Sequence, residues 1–241
     1  MKKTVIFLCV VLLTVSSLVL AAEEEAKKDW ELSTKMSIWS RYLTTGGFVG
    51  SKNPSLQPEF TLSHKSGWYG CGWASIDMKR GDWTEVDYYL GYQFEIVPTI
   101  TIDAGLAYYQ LRTDPDEIAP YVMVSKGFQF QGDASVFVKQ EVPIEYETGR
   151  DSYLTYVGLK HEWPIPKVKS LSLIQIPQVV VGNGFDGKWS SVFAYDAMLT
   201  YKITENLSAG PAIKVRVPMS LPSDDCRKTE VAVGGFVNYK F

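Results

Sequence analysis

The feature that most constrains this chain is a two-residue alternation of apolar and polar side chains, which begins at Trp30 and continues to the last residue, Phe241. It is clearest at the C-terminus. There, every second residue between 229 and 241, such as Val231, belongs to one mostly apolar set, and the intervening residues, such as Glu230, are mostly polar. Since successive side chains of a strand point to opposite faces, this pattern predicts a strand with one apolar and one polar face.

The same alternation predicts twelve strands along the chain. Eight are clear, near residues 30–38, 56–63, 85–94, 100–109, 153–160, 193–202, 207–217 and 228–241. Four are weaker, near residues 68–78, 118–126, 133–142 and 171–182. Pro120 and Pro177 fall inside two of the weaker strands, where the missing N–H breaks a ladder, and the facing of the strand with Pro177 is ambiguous.

The predicted connections alternate in length. Short ones fall at 65–67, 96–98, 127–132 and 203–206, with 164–170 as a longer member of the same set. Longer polar ones fall at 44–55, 79–84, 112–117, 143–151, 183–190 and 218–227. Short turns at one end and long loops at the other are typical of bacterial membrane barrels, and an even number of strands places both chain ends at the short-turn end.

The N-terminus predicts a signal peptide over residues 1–22. Lys2 and Lys3 precede an apolar run over residues 5–20, and small residues, Ala21 and Ala22, precede an acidic run. The alternative is an uncleaved membrane anchor, but the small-residue site favours cleavage. We therefore expect export across the inner membrane and one barrel domain over residues 23–241.

Three features favour a closed antiparallel transmembrane β-barrel, an all-β fold, over a soluble β-sandwich. Full charges recur in the middle of nearly every strand with apolar residues opposite, which fits an apolar outside and a wet inside. Aromatic residues gather near strand ends on the apolar face, where interfacial girdles lie. The chain also stops inside its last strand. If this strand pairs with the first strand, the sheet closes and no unpaired edge is left. The aromatic residues are Trp30, Phe94, Tyr108, Tyr153, Trp163, Tyr201 and Tyr239.

The polar face predicts the charged lining of a pore. The residues expected to line it are Lys35, Arg41, Glu59, Glu85, Asp87, Asp103, Lys139, Lys160, Asp196, Lys214, Arg216 and Glu230. Over all inward positions, acids slightly outnumber bases. The further inward acids are Glu31, Asp77, Glu95, Glu141 and Glu162, and the further inward bases are Lys202, Lys228 and Lys240. Fixed wall charges concentrate counter-ions in a narrow lumen, so we expect a weak preference for cations.

The C-terminal residues 234–241 resemble the assembly signal of outer-membrane barrels, with Phe241 at the end and Tyr239 two positions before it. Such a signal implies the barrel-assembly machinery as a partner. Three further segments carry a wider resemblance: Ser40-Arg41-Tyr42, SHKSGWYGCGW over residues 63–73, and EVDYYLGY over residues 85–92. On these segments and on length, the chain resembles the TorF-type (Gcw) porin family of proteobacterial outer-membrane β-barrels. It departs from the family's Arg-Gly after the first strand, because Tyr42 follows Arg41.

Little in the sequence favours catalysis, a metal or a cofactor. Hydrolysis of lipids would need an oriented Ser–His or Asp–His pair, but the two histidines, His64 and His161, both fall on the apolar face near short turns. The carboxylates of residues 114–117 and 224–225 lack calcium-loop spacing. Cys71 and Cys226 are expected at opposite ends of the molecule, too far apart to bond. A net charge of −3 without a basic cluster argues against a nucleic-acid partner.

The sequence therefore predicts a porin-like channel in the outer membrane of a Gram-negative cell, in contact with outer-membrane lipid and passing small solutes or ions. A second interpretation is a plugged structural or adhesive barrel, in which opposite charges pair across the lumen and seal it. Twelve strands lie between the filled eight-stranded and the open sixteen-stranded barrels, so side chains and the loop 44–55, which could fold inward, decide between them. Stacking of a sugar-like solute on inward aromatic residues and a lipid-modifying enzyme are weaker alternatives.

Overall fold

A computed structural model describes residues 29–45, 49–183, 189–220 and 228–241. The predicted signal peptide over residues 1–22, the Asp224–Asp225 pair and Cys226 lie outside these ranges and stay predictions. The described chain forms fifteen strands: β1 (Trp30–Trp39), β2 (Tyr42–Leu43), β3 (Val49–Ser51), β4 (Ser55–His64), β5 (Trp68–Asp77), β6 (Asp82–Val97), β7 (Ile100–Leu111), β8 (Glu117–Gln129), β9 (Asp133–Glu141), β10 (Ile144–Glu145), β11 (Tyr153–Pro164), β12 (Leu171–Asn183), β13 (Trp189–Lys202), β14 (Leu207–Ser220) and β15 (Glu230–Lys240). Across the described ranges, no helix is long and apolar enough to span a membrane.

The twelve long strands form one closed antiparallel sheet. The order around it is β8-β7-β6-β5-β4-β1-β15-β14-β13-β12-β11-β9, and β8 also pairs with β9. The first and last strands join from Ser33 opposite Lys240 to Trp39 opposite Gly234. Closure leaves no long strand with an unpaired edge, as a barrel in hydrocarbon requires. The prediction of a twelve-stranded barrel is confirmed.

The two ends of the barrel differ in their connections. At the turn end the strands are joined by residues 65–67, 98–99, 130–132, 165–170 and 203–206. At the loop end most connections are longer, and two of them carry the short strands β2, β3 and β10. The prediction of a long loop over residues 79–84 is wrong, because residues 78–81 form a tight turn instead. The Asp77 carboxylate accepts the N–H groups of Lys79 and Arg80, and Gly81 takes a positive φ of 67°, which a glycine adopts without strain.

Pro177 lies in the middle of β12, the strand whose facing the sequence left ambiguous. Its side chain takes an odd-numbered, outward position opposite Tyr195 of β13. The pairing of β12 with β11 skips from Gln178 to Gln175 at this point, as the missing N–H of a proline requires. The proline therefore interrupts one ladder without ending the strand.

The distribution of polarity is the reverse of that in a soluble domain. Outward apolar residues such as Leu90 and Val233 are 59% and 56% exposed, whereas inward polar residues such as Arg216 and Glu141 are 1% and 2% exposed. A soluble β-sandwich places its apolar residues at the centre, so that alternative does not describe this chain. An apolar outer face around a polar interior is the arrangement of a transmembrane barrel.

Candidate functional site

The interior of the barrel holds a cavity of about 1140 Å³ that opens toward the loop end. Seven of the residues predicted to line the pore contribute to its wall. They are Lys35, Glu59, Glu85, Asp87, Lys139, Asp196 and Lys214. The parity of each strand therefore places these charges inside the barrel, as alternation requires.

The other five predicted lining residues lie outside this cavity wall. Arg41 forms an ion pair with Glu230 at the loop end of the seam between β1 and β15. Asp103 accepts a hydrogen bond from the Tyr69 hydroxyl at 2.8 Å, on the side of the cavity nearer the turn end. Lys160 is exposed.

Arg216 is the fifth of them and has a structural task. Its guanidinium Nη1 lies 2.5 Å from Asp196 Oδ1, and its Nε donates to the Thr44 carbonyl oxygen at 2.8 Å. The side chain is almost completely buried. Arg216 therefore links the wall to the first loop.

Strands β2 and β3 form a hairpin that folds into the barrel from the first loop. Leu43 is 2% exposed and packs in an apolar cluster with Trp39, Ala212, Ala232 and Phe236. Apolar burial of this kind draws the hairpin onto the wall formed by β1, β14 and β15. The expectation that the first loop could fold inward is confirmed for its described residues.

The hairpin is also tied to the opposite part of the wall. The Tyr42 hydroxyl donates to Glu85 Oε2 on β6 at 2.6 Å, and its ring lies 5.5 Å from the Trp73 ring on β5. Since Arg216 on β14 holds Thr44, the hairpin spans the interior between two strands that are five positions apart around the barrel. It narrows the lumen over one sector and leaves the cavity beside it.

Asp77 fixes the base of this hairpin. Its Oδ2 accepts hydrogen bonds from the Ser51 hydroxyl at 2.9 Å and from the Asn53 side-chain amide at 2.8 Å. The same carboxylate organises the tight turn after β5. One buried carboxylate with this many donors joins two adjacent connections into a single rigid unit.

The cavity wall formed by β6 to β9 is acidic and rich in tyrosine. Glu85, Asp87, Glu117 and Glu141 line it together with Tyr89 and Tyr109, and Tyr156 of the adjacent β11 lies beside them. The Tyr109 hydroxyl donates to Glu141, and the Lys139 ammonium lies 2.6 Å from that same carboxylate. The opposite wall carries Lys214, whose ammonium lies 4.5 Å from the centre of the Trp39 ring, together with Lys35.

The ion pairs of the described wall residues run along the wall rather than across it. Lys35 pairs with Glu59 on the adjacent strand at 3.8 Å, and Arg216 pairs with Asp196 on the adjacent strand. Lys139 and Glu141 lie on one strand. Pairing between neighbours leaves the centre of the lumen free of side-chain bridges, apart from the hairpin.

Inward aromatic rings lie over glycines of the neighbouring strands. Tyr69, Gly91, Gly105 and Tyr121 occupy one row across four strands, and the two tyrosine hydroxyls are hydrogen-bonded to each other. A Cβ at Gly91 would come within 2.5 Å of the Tyr69 ring and 2.6 Å of the Tyr121 hydroxyl. Glycine thus lets the rings lie flat against the wall, so they do not fill the lumen.

The two histidines have no catalytic geometry. His64 lies at the end of β4, with its ring 4.5 Å from the Trp30 ring and its Nδ1 2.6 Å from the Ser66 hydroxyl. His161 Nε2 lies 2.9 Å from the Phe130 carbonyl oxygen. Both lie on the outer face near the turn end, so neither can act as the base of a lumen site.

The predicted loop carboxylates do not form a metal site in the described part of the chain. Asp116 instead accepts the Tyr108 hydroxyl and the N–H of Leu111. Over residues 29–45, 49–183, 189–220 and 228–241, no group of three or more His, Cys, Asp or Glu side chains is arranged to hold a metal ion. The Cys71 thiol is free and faces the cavity.

The loop between β9 and β11 carries a separate clamp. The pKa of Glu145 is lowered by a hydrogen bond from the Thr148 hydroxyl and by the Arg150 guanidinium, which lies 2.8 Å from the carboxylate. Desolvation acts in the opposite direction but does not outweigh them. β10, which contains Glu145, pairs with the start of β8. The clamp therefore holds this loop against the rim of the barrel.

Comparison with known proteins places the chain in a family. The sequence model of the family described as bacterial protein of unknown function (Gcw_chp) matches residues 23–176. The chain belongs to this family. The resemblance drawn from residues 40–42, 63–73 and 85–92 is thereby confirmed. No curated protein matches the chain.

Two solved porins share the fold of this Gcw_chp protein. The KdgM porin in complex with disordered oligogalacturonate superposes with a TM-score of 0.58 at 10% identity, covering 88% of this chain and 99% of that one. The NanC porin superposes with a TM-score of 0.58 at 10% identity, covering 87% and 100%. At this identity the likeness establishes the barrel architecture alone.

Sequence reasoning missed two parts of the site. Glu117 was assigned to the loop cluster of residues 114–117, but it is the first residue of β8 and lines the cavity. The anchors of the hairpin, Tyr42 and Arg216, were not recognised as partners of the first loop. The one available signal was the departure from the family's Arg-Gly at Tyr42, since a large aromatic residue there needs a place to pack.

Proposed function

We propose that this protein is a channel of the bacterial outer membrane through which small solutes and ions diffuse passively. The observation that carries the proposal is the arrangement of the wall. The ion pairs of the described wall join neighbours on the same or adjacent strands, and rings such as that of Tyr69 lie over glycines, so a polar cavity remains beside the hairpin. A water-filled lumen with a charged lining is what a diffusion channel requires.

The proposal includes a weak preference for cations. Acids outnumber bases among the described side chains that line the cavity. The acids are Glu59, Glu85, Asp87, Asp114, Glu117, Glu141 and Asp196, and the bases are Lys35, Arg112, Lys139 and Lys214. An excess of fixed negative charge raises the local concentration of cations and lowers that of anions.

The location is part of the same proposal. Trp30 and Tyr201 at the turn end and Tyr153 at the loop end are each about half exposed on the outer face, where aromatic girdles meet the two membrane interfaces. Tyr239 and Phe241 lie together on that face with their rings 4.7 Å apart. This exposed aromatic pair is accessible to the barrel-assembly machinery, which we propose as the partner during insertion.

A plugged structural or adhesive barrel is the second candidate, and the inward hairpin is the observation that favours it. In that case the hairpin and mobile side chains would close the remaining cavity. A lipid-modifying enzyme has no such support, because the described histidines lie away from the cavity carboxylates.

The test uses the refolded full-length mature protein in liposomes. Uptake of small neutral sugars, measured by liposome swelling, should exceed that of protein-free liposomes and fall with increasing sugar size. Reversal potentials in a KCl gradient should show weak cation preference. Swelling equal to that of empty liposomes, with a folded barrel confirmed by its heat-dependent electrophoretic mobility, would favour the plugged barrel. Clear anion selectivity would reject the charge argument alone.

A further inference from the structure

We infer that the cavity contains a binding site for an alkylammonium group, formed by Asp87 and the tyrosine rings beside it. The inference deepens the proposed channel function and rests on it for the entry of the ligand. It names a substrate class, small organic amines, for the cavity between the hairpin and the wall of β6 to β9.

The first observation is an unpartnered carboxylate oxygen. Asp87 is 6% exposed and lines the cavity, and its Oδ1 has no hydrogen-bond partner. Its other oxygen, Oδ2, has a long contact of 3.3 Å with the Tyr89 hydroxyl, and the carboxyl also lies beside the carboxyl of Glu85, which brings a second acid and no basic partner. A buried carboxylate oxygen without a donor is unfavourable, so a donor brought by a ligand would stabilise it.

The second observation is a lack of counter-charge. Among the ion pairs of the described residues, none includes Glu85, Asp87 or Glu117, although all three line the same cavity. Glu85 receives a hydrogen bond from the neutral Tyr42 hydroxyl. The site therefore attracts a cation from the lumen.

The same wall already holds one ammonium group. The Lys139 nitrogen lies 2.6 Å from Glu141 and stands over the rings of Tyr121 and Tyr156, at 4.8 and 5.3 Å from their centres. A carboxylate together with aromatic faces is the chemistry that stabilises an ammonium ion. It shows which type of cation this tyrosine-rich wall accommodates.

Asp87 offers similar chemistry without a resident lysine. The rings of Tyr89 and Tyr109, 6.0 Å apart in an edge-to-face arrangement, line the cavity along with it. The described acids of the wall are not arranged as a metal site, so a divalent ion is disfavoured. An ammonium group needs fewer ligands in fixed positions, because it donates separate hydrogen bonds and contacts ring faces.

The test measures binding without relying on conduction. Saturation-transfer NMR of the full mature chain in detergent micelles, with n-propylammonium as the probe, should show binding, and neutral n-propanol should show much less. Asp87→Asn should raise the Kd of n-propylammonium roughly ten-fold, the effect of losing one charge-assisted hydrogen bond. The matched control is Asp103→Asn, which removes the same charge from an inward position outside the cavity wall and should change the Kd less than two-fold.

Each outcome bears on the inference. The inference is overturned if Asp87→Asn and Asp103→Asn weaken binding equally, or if n-propanol binds as well as the amine. It is also overturned if the concentration of Mg²⁺ that displaces the amine is lower than that of K⁺ by more than the difference in ionic charge explains. It is also overturned if n-propylammonium does not bind at all. Asp87→Glu, which keeps the charge, should retain binding and shows that loss in Asp87→Asn is not misfolding. Amine binding without solute flux would reject the channel and keep this site, and flux without binding would do the reverse.

Discussion

The hydrogen bond between Tyr42 and Glu85 is the most accessible test of the inward hairpin. Tyr42→Phe keeps the ring beside Trp73 and removes only the hydroxyl that donates to Glu85 at 2.6 Å. A hydrogen bond to a charged group contributes about 1.5–3 kcal/mol to stability. Because about 1.4 kcal/mol corresponds to a factor of ten, the ratio of undocked to docked hairpin should rise roughly ten- to hundred-fold.

The docked state should nevertheless remain the major one in this variant. Leu43 stays in its apolar cluster, and Arg216 still holds the Thr44 carbonyl oxygen. Water in the cavity can replace the phenol as a donor to Glu85, so we expect a value near the lower limit, about 1.5 kcal/mol. The change is therefore expected as more frequent brief openings and not as a permanently wider pore.

The assay is single-channel recording at fixed voltage, with the frequency of transitions to a larger conductance as the readout. Tyr146→Phe is the matched control, because it removes the same hydroxyl from a loop residue that is 73% exposed. Transition frequencies that are equal in Tyr42→Phe, Tyr146→Phe and the unaltered protein would refute the view that this hydrogen bond holds the hairpin in place.

Three further predictions concern the lumen and the loops. A positively charged methanethiosulfonate reagent should react with Cys71, which faces the cavity, and lower the conductance, whereas the conductance of Cys71→Ser should not respond to the reagent. If mass spectrometry shows that Cys71 is modified but the conductance does not change, Cys71 does not face the cavity. Gly91→Val should displace two tyrosine rings toward the lumen, reduce the conductance and destabilise the barrel by about 1–3 kcal/mol, measured by urea unfolding in lipid, while Gly70→Ala, where a Cβ meets nothing closer than 3.8 Å, should do neither. Because the pKa of Glu145 is lowered, its ion pair with Arg150 contributes fully to stability above the ordinary glutamate pKa and is lost as the pH falls through the lowered value. Hydrogen exchange in residues 144–151, corrected for its intrinsic pH dependence, should therefore accelerate in acid. Unchanged protection would show that the clamp does not hold this loop.

The strands could be predicted because each one records its two environments in its own residues. In β15, Val231 and Val233 are exposed on the outer face, whereas Ala232 and Phe236 are buried inside, as the alternation in residues 229–241 indicates. The signal is local, since it depends on spacing along one segment and not on the partner strand. Even β12 forms where the alternation predicts it despite Pro177, because the proline interrupts only the ladder with β11.

The hairpin contacts could not be predicted in the same way. Tyr42 and Glu85 are 43 positions apart, and Arg216 and Thr44 are 172 apart, so their pairing depends on the closure of the whole barrel. Local polarity was also misleading at residues 79–84, where a polar run suggested a long loop. The Asp77 carboxylate accepts the N–H groups of Lys79 and Arg80 and so tightens the start of that run into a turn.

The central claim is that the polar interior of this barrel is a continuous aqueous path past the first-loop hairpin. Single-channel current across a planar bilayer, recorded from the refolded mature protein, tests it most directly. We expect discrete conductance steps that grow with salt concentration. A protein that is inserted and folded, as judged by its heat-dependent mobility, but passes no current at any voltage would contradict it.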